Sequence, residues 1–207
     1  YLHATGKTKK KRFTVETKGG RVSIDLQVDR HGDAAAATVE MGIATFKPDA
    51  LPCSLDVPEL IQQPIEAAGR SLIFTGVSVG NPHCVVFKPT GESWSREELL
   101  ALGPALEHHK LFPKRTNVQL VVPTGRNEVF ILIWERGAGE TQASGSSSCA
   151  AASAAVRLGL VKSPVTVKMP GGVLNIAVAP DFSLTMKGPV AEVARGTLSP
   201  SFIRGLK

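Results

Sequence analysis

Between residues 12 and 46 apolar and polar side chains alternate with a period of two, as in Val22, Ile24, Leu26 and Val28. A strand with one buried face has this signature. "RFTVET" (12–17), "RVSIDLQV" (21–28) and "AATVEMGIATF" (36–46) are therefore predicted strands of an antiparallel meander, joined by Gly19-Gly20 and by "DRHGD" (29–33). "FKPDALPCSLDVPE" (46–59) is proline-rich and aperiodic, which predicts a segment crossing between two bodies of structure and a domain boundary near residue 46. Strands follow at "RSLIFTGVSVG" (70–80) and "HCVVFK" (83–88). A helix opens at Ser95, where Glu98 three residues on completes a capping box, and ends near Pro113. "TNVQLVVP" (116–123) and "EVFILIWE" (128–135) flank the turn "TGRN". The helix from about Ser147 to Leu158 carries Ala, Val and Leu on nearly every face and closes at Gly159 in a left-handed cap. Such a helix must be surrounded by structure. Residues 165–198 read strand, Gly-Gly turn, strand, Pro-Asp turn, strand, so the two ends of the chain look alike and suggest a weak internal repeat.

With 207 residues, 43% apolar and 20% charged, the chain has ordinary globular usage and needs no disulfide or metal framework to form a core. No apolar run approaches the roughly 20 residues of a membrane span, so a soluble protein with no membrane partner is expected. Cys53, Cys84 and Cys149 are too few and too scattered for a disulfide scaffold or a zinc site; they fit a reducing cytoplasm. No secretion signal surrounds Tyr1, and the beginning of the chain looks like a cut. The net charge of +6 draws attention to "KTKKKR" (7–12), but this run lacks interleaved aromatics, and one Tyr and two Trp offer little for base stacking. It reads as a solvated turn, with no nucleic-acid partner. "GKT" (6–8) is no phosphate loop, since Tyr1 stands where that loop needs its first glycine.

Three stretches could carry chemistry. In "WERGAGETQASGSSSCAAASAAVRLGL" (134–160) a charged pair leaves an apolar run and enters a Gly/Ser-rich loop ahead of the Ala-rich helix. The first N–H groups of a helix have no partners of their own, and its dipole places roughly half a positive charge there. A carboxylate suits that position. Gly145 permits close backbone approach and Ser146 to Ser148 add hydroxyls; the competing reading is that serines simply cap helices, although one cap needs one hydroxyl. In "GNPHCVVF" (80–87), Asn81 is pushed out of the helical region by Pro82, and His83 either titrates near neutrality or bonds a neighbour. In "KRTNVQL" (114–120), Asn117 opens a strand, where an Asn is also an ordinary turn former.

"GNPHCVVF", "FPKRTNVQL" and "WERGAGETQASGSSSCAAA", in this order and with "MKGPVAEVARGTL" closing the chain, resemble the diaminopimelate epimerase family over almost the whole length. The resemblance implies an α+β fold of two pseudosymmetric domains, each a set of antiparallel strands wrapped around a central helix, with the substrate between the helix N-termini. It implies a PLP-independent isomerase, without cofactor or metal, that inverts the α-carbon of a zwitterionic amino acid: one base removes the α-proton and a second returns a proton on the opposite face. LL- to meso-diaminopimelate is the expected conversion, in lysine and cell-wall biosynthesis, and a cytoplasmic homodimer is the expected assembly. Residues 1–45 would be a remnant of the N-terminal domain, completed by a C-terminal strand in 189–207, and 46–188 the C-terminal epimerase domain. Carried over position by position, Asn81, Asn117, Glu135 and Arg136 resemble the substrate-binding residues, Gly145 and Ser146 the loop that receives the α-carboxylate, and His83 the histidine beside the catalytic centre.

Two departures bear on the chemistry. The family's "ACGTGACA" reads here "ASGSSSCA", so Ser144 stands where the catalytic cysteine is expected and Cys149 lies further on, facing the helix packing. The family's first half, with its "CGNG" segment and partner cysteine, would come before Tyr1. A serine works as a base only when a neighbour takes its proton, and Glu135 or His83 would have to be that neighbour. Three readings stay open: a divergent epimerase using Ser144, an engineered serine in an ordinary one, and an amino-acid-binding protein or related phenazine-type isomerase without epimerase activity.

Overall fold

The computed structural model describes residues 1–17, 20–194 and 196–206. In chain order it forms β1 (Arg12–Thr17), β2 (Gly20–Val28), β3 (Ala34–Ile43), a 3-10 turn at Pro48–Ala50, β4 (Gln63–Ala67), β5 (Arg70–Ser78), β6 (Pro82–Phe87) and α1 (Arg96–Glu107). Then come β7 (Asn117–Gly125), β8 (Glu128–Glu135), β9 (Gly139–Thr141), α2 (Gly145–Arg157), β10 (Val165–Met169), β11 (Gly172–Val178), β12 (Ser183–Pro189) and α3 (Pro200–Arg204). Of the turn expected at Gly19-Gly20, Gly19 lies outside the described residues and Gly20 belongs to β2.

All strands join one sheet in the order β1-β2-β3-β12-β11-β10-β8-β7-β6-β5-β4, with β9 paired to β8. Neighbours are antiparallel except at two joints, β6 with β7 and β8 with β10. A parallel neighbour cannot be reached by a tight hairpin. Here α1 makes the first crossing and α2 the second.

The sheet curls around α2, which touches β5, β6, β7, β8, β10, β11 and β12. The chain after β3 closes the ring: the Ala44 amide donates to Phe182 O at 3.0 Å, and Thr45 and Ser78 exchange backbone hydrogen bonds of 2.9 and 2.8 Å. Alanines 150–152, 154 and 155 are fully buried, and their small side chains let seven strands approach one helix. Val85, Val121, Ile131, Ile133, Val167 and Ile176 complete that core from the strands' inner faces.

A second core lies on the outer face of β4–β7. The α1 stripe Leu99, Leu102, Leu106, with Gly103 between, recurs at helical spacing and packs there with Leu51, Leu60, Phe74 and Phe112. Two of these, Leu51 and Leu60, come from the proline-rich stretch and its continuation, which pack down onto this core. The expected α+β class and the wrapping of strands around a central helix are observed. Two strands were not anticipated: β4, whose Pro64 is tolerated because β4 is an edge strand, and the three-residue β9. Conversely, among the described residues of the strand expected in 189–207 only Pro189 is in a strand; the Val190 amide still donates to Ala35 O, and the short helix α3 follows.

Candidate functional site

The parallel joint between β6 and β7 sets His83 opposite Asn117, and the antiparallel joint between β7 and β8 sets Val118 opposite Trp134. The starts of β6 and β7 and the end of β8 therefore meet at one rim of the barrel. Alternation along each strand turns His83 and Val85, Asn117 and Gln119, and Ile133 and Glu135 the same way, toward α2.

Four of the expected residues fall into two hydrogen-bonded pairs, Asn117 with Arg136 and His83 with Asn81. Asn117 Nδ2 donates to Pro82 O at 2.8 Å, while its Oδ1 accepts from the Arg136 backbone amide at 3.0 Å, so this buried side chain ties the start of β6 to the end of β8. Among the described residues, one Asn117 N–H and one lone pair remain uncommitted. His83 Nε2 lies 3.0 Å from Asn81 Oδ1. Arg136 is exposed and its Nη1 donates to Lys114 O at 3.0 Å. Glu135, half-buried, accepts from Thr141 Oγ1 at 3.4 Å.

His83 is fully buried, and burial pushes its pKa down to about 3; the Gln119 side chain opposes this and the Arg136 charge reinforces it. Burial thus holds the imidazole neutral at physiological pH, and of the two readings, titration near neutrality or a bond to a neighbour, the contact with Asn81 favours the second. Gln119 acts on it without a close bond, since His83 Nδ1 and Gln119 Oε1 have no hydrogen-bond partner among the described residues. The other end of Gln119 donates to Ser147 Oγ at 3.0 Å, linking β7 to the first turn of α2.

At that turn the hydroxyls divide. Ser144 is the N-cap and its Oγ accepts from the Ser147 amide at 3.5 Å. Ser148 Oγ donates to Ser144 O at 2.8 Å, and Ser147 and Ser148 are fully buried, so neither adds a free donor for a ligand. The Gly145 and Ser146 amides, the first two of α2, have no protein partner among the described residues. A Cβ at Gly145 would lie 2.9 Å from Met186 Sδ, so a side chain there would have to push that flexible thioether aside. Cys149 is buried in the core around α2, and burial pushes its thiol up to about 12.

A cavity of about 270 Å³ opens beside Ala143, Ser144 and Gly145, bounded by Met169, Gly171, Gly172, Val173, Leu174 and Pro189. Ser144 and Gly145 line it; Asn81, His83, Asn117, Glu135 and Arg136 do not. Among the described residues no hydrogen bond joins Ser144 Oγ to Glu135 or His83, and no group of three His, Cys, Asp or Glu side chains is disposed to hold a metal ion. A larger cleft of about 1120 Å³, between the N-terminal turn, Asp29, Asp33 and residues 190–194, contains none of the expected site residues. Gln119 and Thr141 were not anticipated; a glutamine amid "VQLVV" on the inward side of the alternation was the signal for the first.

Known proteins share this arrangement of strands and helix. The profile of the family described as diaminopimelate epimerase matches residues 75–193. The diaminopimelate epimerase of Azotobacter vinelandii is 42% identical over 190 residues, 91% of this chain and 66% of that protein. That of Leptospira biflexa is 36% identical over 197 residues, 95% of this chain and 69% of that protein. The crystal structure of a hydroxyproline epimerase from Agrobacterium vitis superposes with a TM-score of 0.64 at 14% identity, over 91% of this chain and 60% of that one, which is a likeness of fold alone. The chain spans about two thirds of the length of these curated relatives. On the strength of these two relatives and the matched profile, the chain belongs to the diaminopimelate epimerase family, PLP-independent amino-acid isomerases.

Proposed function

We propose that the protein inverts the α-carbon of an amino acid without a cofactor, with LL- to meso-diaminopimelate as the conversion, in the cytoplasm and as a homodimer. The observation that carries this reading is the pair of amides, Gly145 and Ser146, without a partner among the described residues, at the tip of a helix buried from Ser147 to Ala155, with Gly145 lining a cavity. They receive the substrate α-carboxylate, and the helix dipole favours the negative charge that grows on it when the α-proton leaves. Oxyanion donors of this kind contribute ~2.7–4 kcal/mol each. Asn81, Asn117, Glu135 and Arg136 take the remaining polar groups of the zwitterion at the rim. His83, neutral, orients the Asn81 amide instead of moving a proton. In this reading residues 46–188 are the epimerase domain and residues 1–45 the remnant of its companion; the pairing of β3 with β12 supports their working as one sheet.

Ser144 stands in the position of one catalytic thiol, with the other in the family's first half. A thiol at a helix N-terminus has its pKa lowered to ~3.5–7.5, whereas a serine has no such anion in reserve. Its hydroxyl here caps the helix and, among the described residues, meets no acceptor for its proton. That observation favours a second reading, an amino-acid-binding protein of the same fold.

Exchange of the substrate α-hydrogen in deuterated water, followed by NMR, separates the two. The epimerase reading expects exchange with diaminopimelate, and it expects Ser144→Cys to speed it by ~10²–10⁴, the usual worth of a general base. Measurable amino-acid binding without exchange, unchanged in Ser144→Cys, would establish the binding protein.

A further inference from the structure

Glu107, the last residue of α1, is a carboxylate in an apolar place: its side chain is only 4% exposed. A charge so placed is costly unless donors surround it. Three do. Oε2 accepts from Trp134 Nε1 at 2.7 Å, and Oε1 accepts from the Gly137 amide at 2.9 Å and from Arg115 Nη1 at 3.2 Å. Burial opposes the charge, but the Trp134 indole, the Gly137 amide, and the charges of His108 and Arg115 outweigh it and hold the carboxyl below its ordinary pKa.

The placement of these donors matters more than their number. Trp134 immediately precedes Glu135, Gly137 immediately follows Arg136, and Arg115 stands two residues before Asn117. Gly137 and Arg115 both have positive φ, +78° and +58°, so each lies at a turn whose shape must be held. The loop is closed on the far side by the Arg136 amide bonded to Asn117 Oδ1. Gly103, one turn earlier on α1, leaves the space in which the Trp134 ring lies. One carboxylate thus grips both chain segments that present Glu135, Arg136 and Asn117.

We infer that Glu107 is a positioning residue, fixing the Glu135–Arg136 turn and the entry to Asn117 at the spacing a zwitterionic substrate requires. The inference rests on the proposed epimerase reading for its consequence in activity, though not for its consequence in structure.

The test compares Glu107→Gln with Glu98→Gln, a variant on the same helix whose carboxylate pairs with Arg70 and Lys88 and reaches neither segment. In Glu107→Gln an amide N–H must face a donor, so part of the grip is lost. Amide hydrogen exchange at Arg136 and Gly137 should accelerate about tenfold, with β7 core amides unchanged; Glu98→Gln should leave both sites as they were. With diaminopimelate, α-hydrogen exchange in Glu107→Gln should show KM raised and kcat reduced, together about 10- to 100-fold, the scale of a misplaced binding group, and within about twofold of the parent in Glu98→Gln. Should Glu107→Gln fail to fold, Arg115→Ala, which truncates a half-exposed side chain, must show the same changes to a lesser degree. Unaltered exchange at Arg136 and Gly137 in the variants that fold would overturn the inference. If the parent protein itself shows no α-hydrogen exchange, the epimerase reading fails and the amide measurement still decides the role of Glu107.

Discussion

At the scale of the residue, His83 shows how far surroundings decide a side chain's chemistry. Its folded pKa of about 3 lies below the ordinary value of 6.5 because burial penalises the cation. Between those two values the unfolded chain binds a proton that the folded chain refuses, so stability is complete above pH 6.5 and is lost as the pH falls toward 3. Unfolding free energies from urea titrations at pH 6.5 to 5, above the range where carboxylates titrate, should therefore fall by up to ~1.4 kcal/mol per pH unit for this one proton. His109, also lowered by burial, adds to the slope, and His83→Gln should remove only the share due to His83. An unchanged slope in that variant would mean that the imidazole takes up its proton equally readily in the folded and unfolded chains. None of this was legible in "GNPHCVVF", because Gln119 and Arg136, which act on the ring, lie far along the chain. The serine cluster was half legible for the same reason: its place at a helix start is local, whereas the burial of Ser147 and Ser148 depends on strands from both sides.

At the scale of the element, boundaries were read best where a local device sets them. Ser95 and Glu98 cap α1 reciprocally, the Ser95 amide donating to Glu98 Oε2 at 2.9 Å and the Glu98 amide to Ser95 Oγ at 3.2 Å, and the helix starts where the motif says. For α2 several serines compete as caps; the structure chooses Ser144, so the helix begins two residues before the expected Ser147. β4 and β9 escaped because a proline and a length of three residues leave too little periodicity to read. Gly103 gives the element-scale prediction. A Cβ there would stand 2.6 Å from two atoms of the Trp134 ring, which β8 holds against α1. Gly103→Ala gains up to ~1 kcal/mol in helix propensity but forces the ring to move, at a typical overpacking cost of ~1–3 kcal/mol. The expected outcome is a net loss in urea unfolding with a shifted Trp fluorescence maximum; a more stable protein with unshifted fluorescence would show that ring and helix are not in contact.

At the scale of the whole molecule, the strands around α2 enclose it only because residues 44–46 bridge Phe182 to Ser78. The sequence shows a proline-rich departure from β3 at this point and nothing about its closing role, since its partners lie on both sides of it in the chain. Phe46 is the bolt. It is 3% exposed, meets Phe182 edge-on at 5.2 Å, lies under the Arg157 guanidinium at 6.0 Å, and its carbonyl accepts from Leu60. Arg157, at the end of α2, is in turn paired with Glu59 at 2.6 Å. Phe46→Ala should therefore open the seam as well as leave a void: a loss of ~3–5 kcal/mol in urea unfolding, with the Thr45 and Ser78 amides losing hydrogen-exchange protection ahead of those in β7. The order of loss matters more than its size, because a simple cavity would weaken every amide through global unfolding alike, whereas a seam fails first at its own bonds. Protection lost in step at Thr45, Ser78 and β7 would assign Phe46 to core filling and leave the closure to the backbone bonds alone.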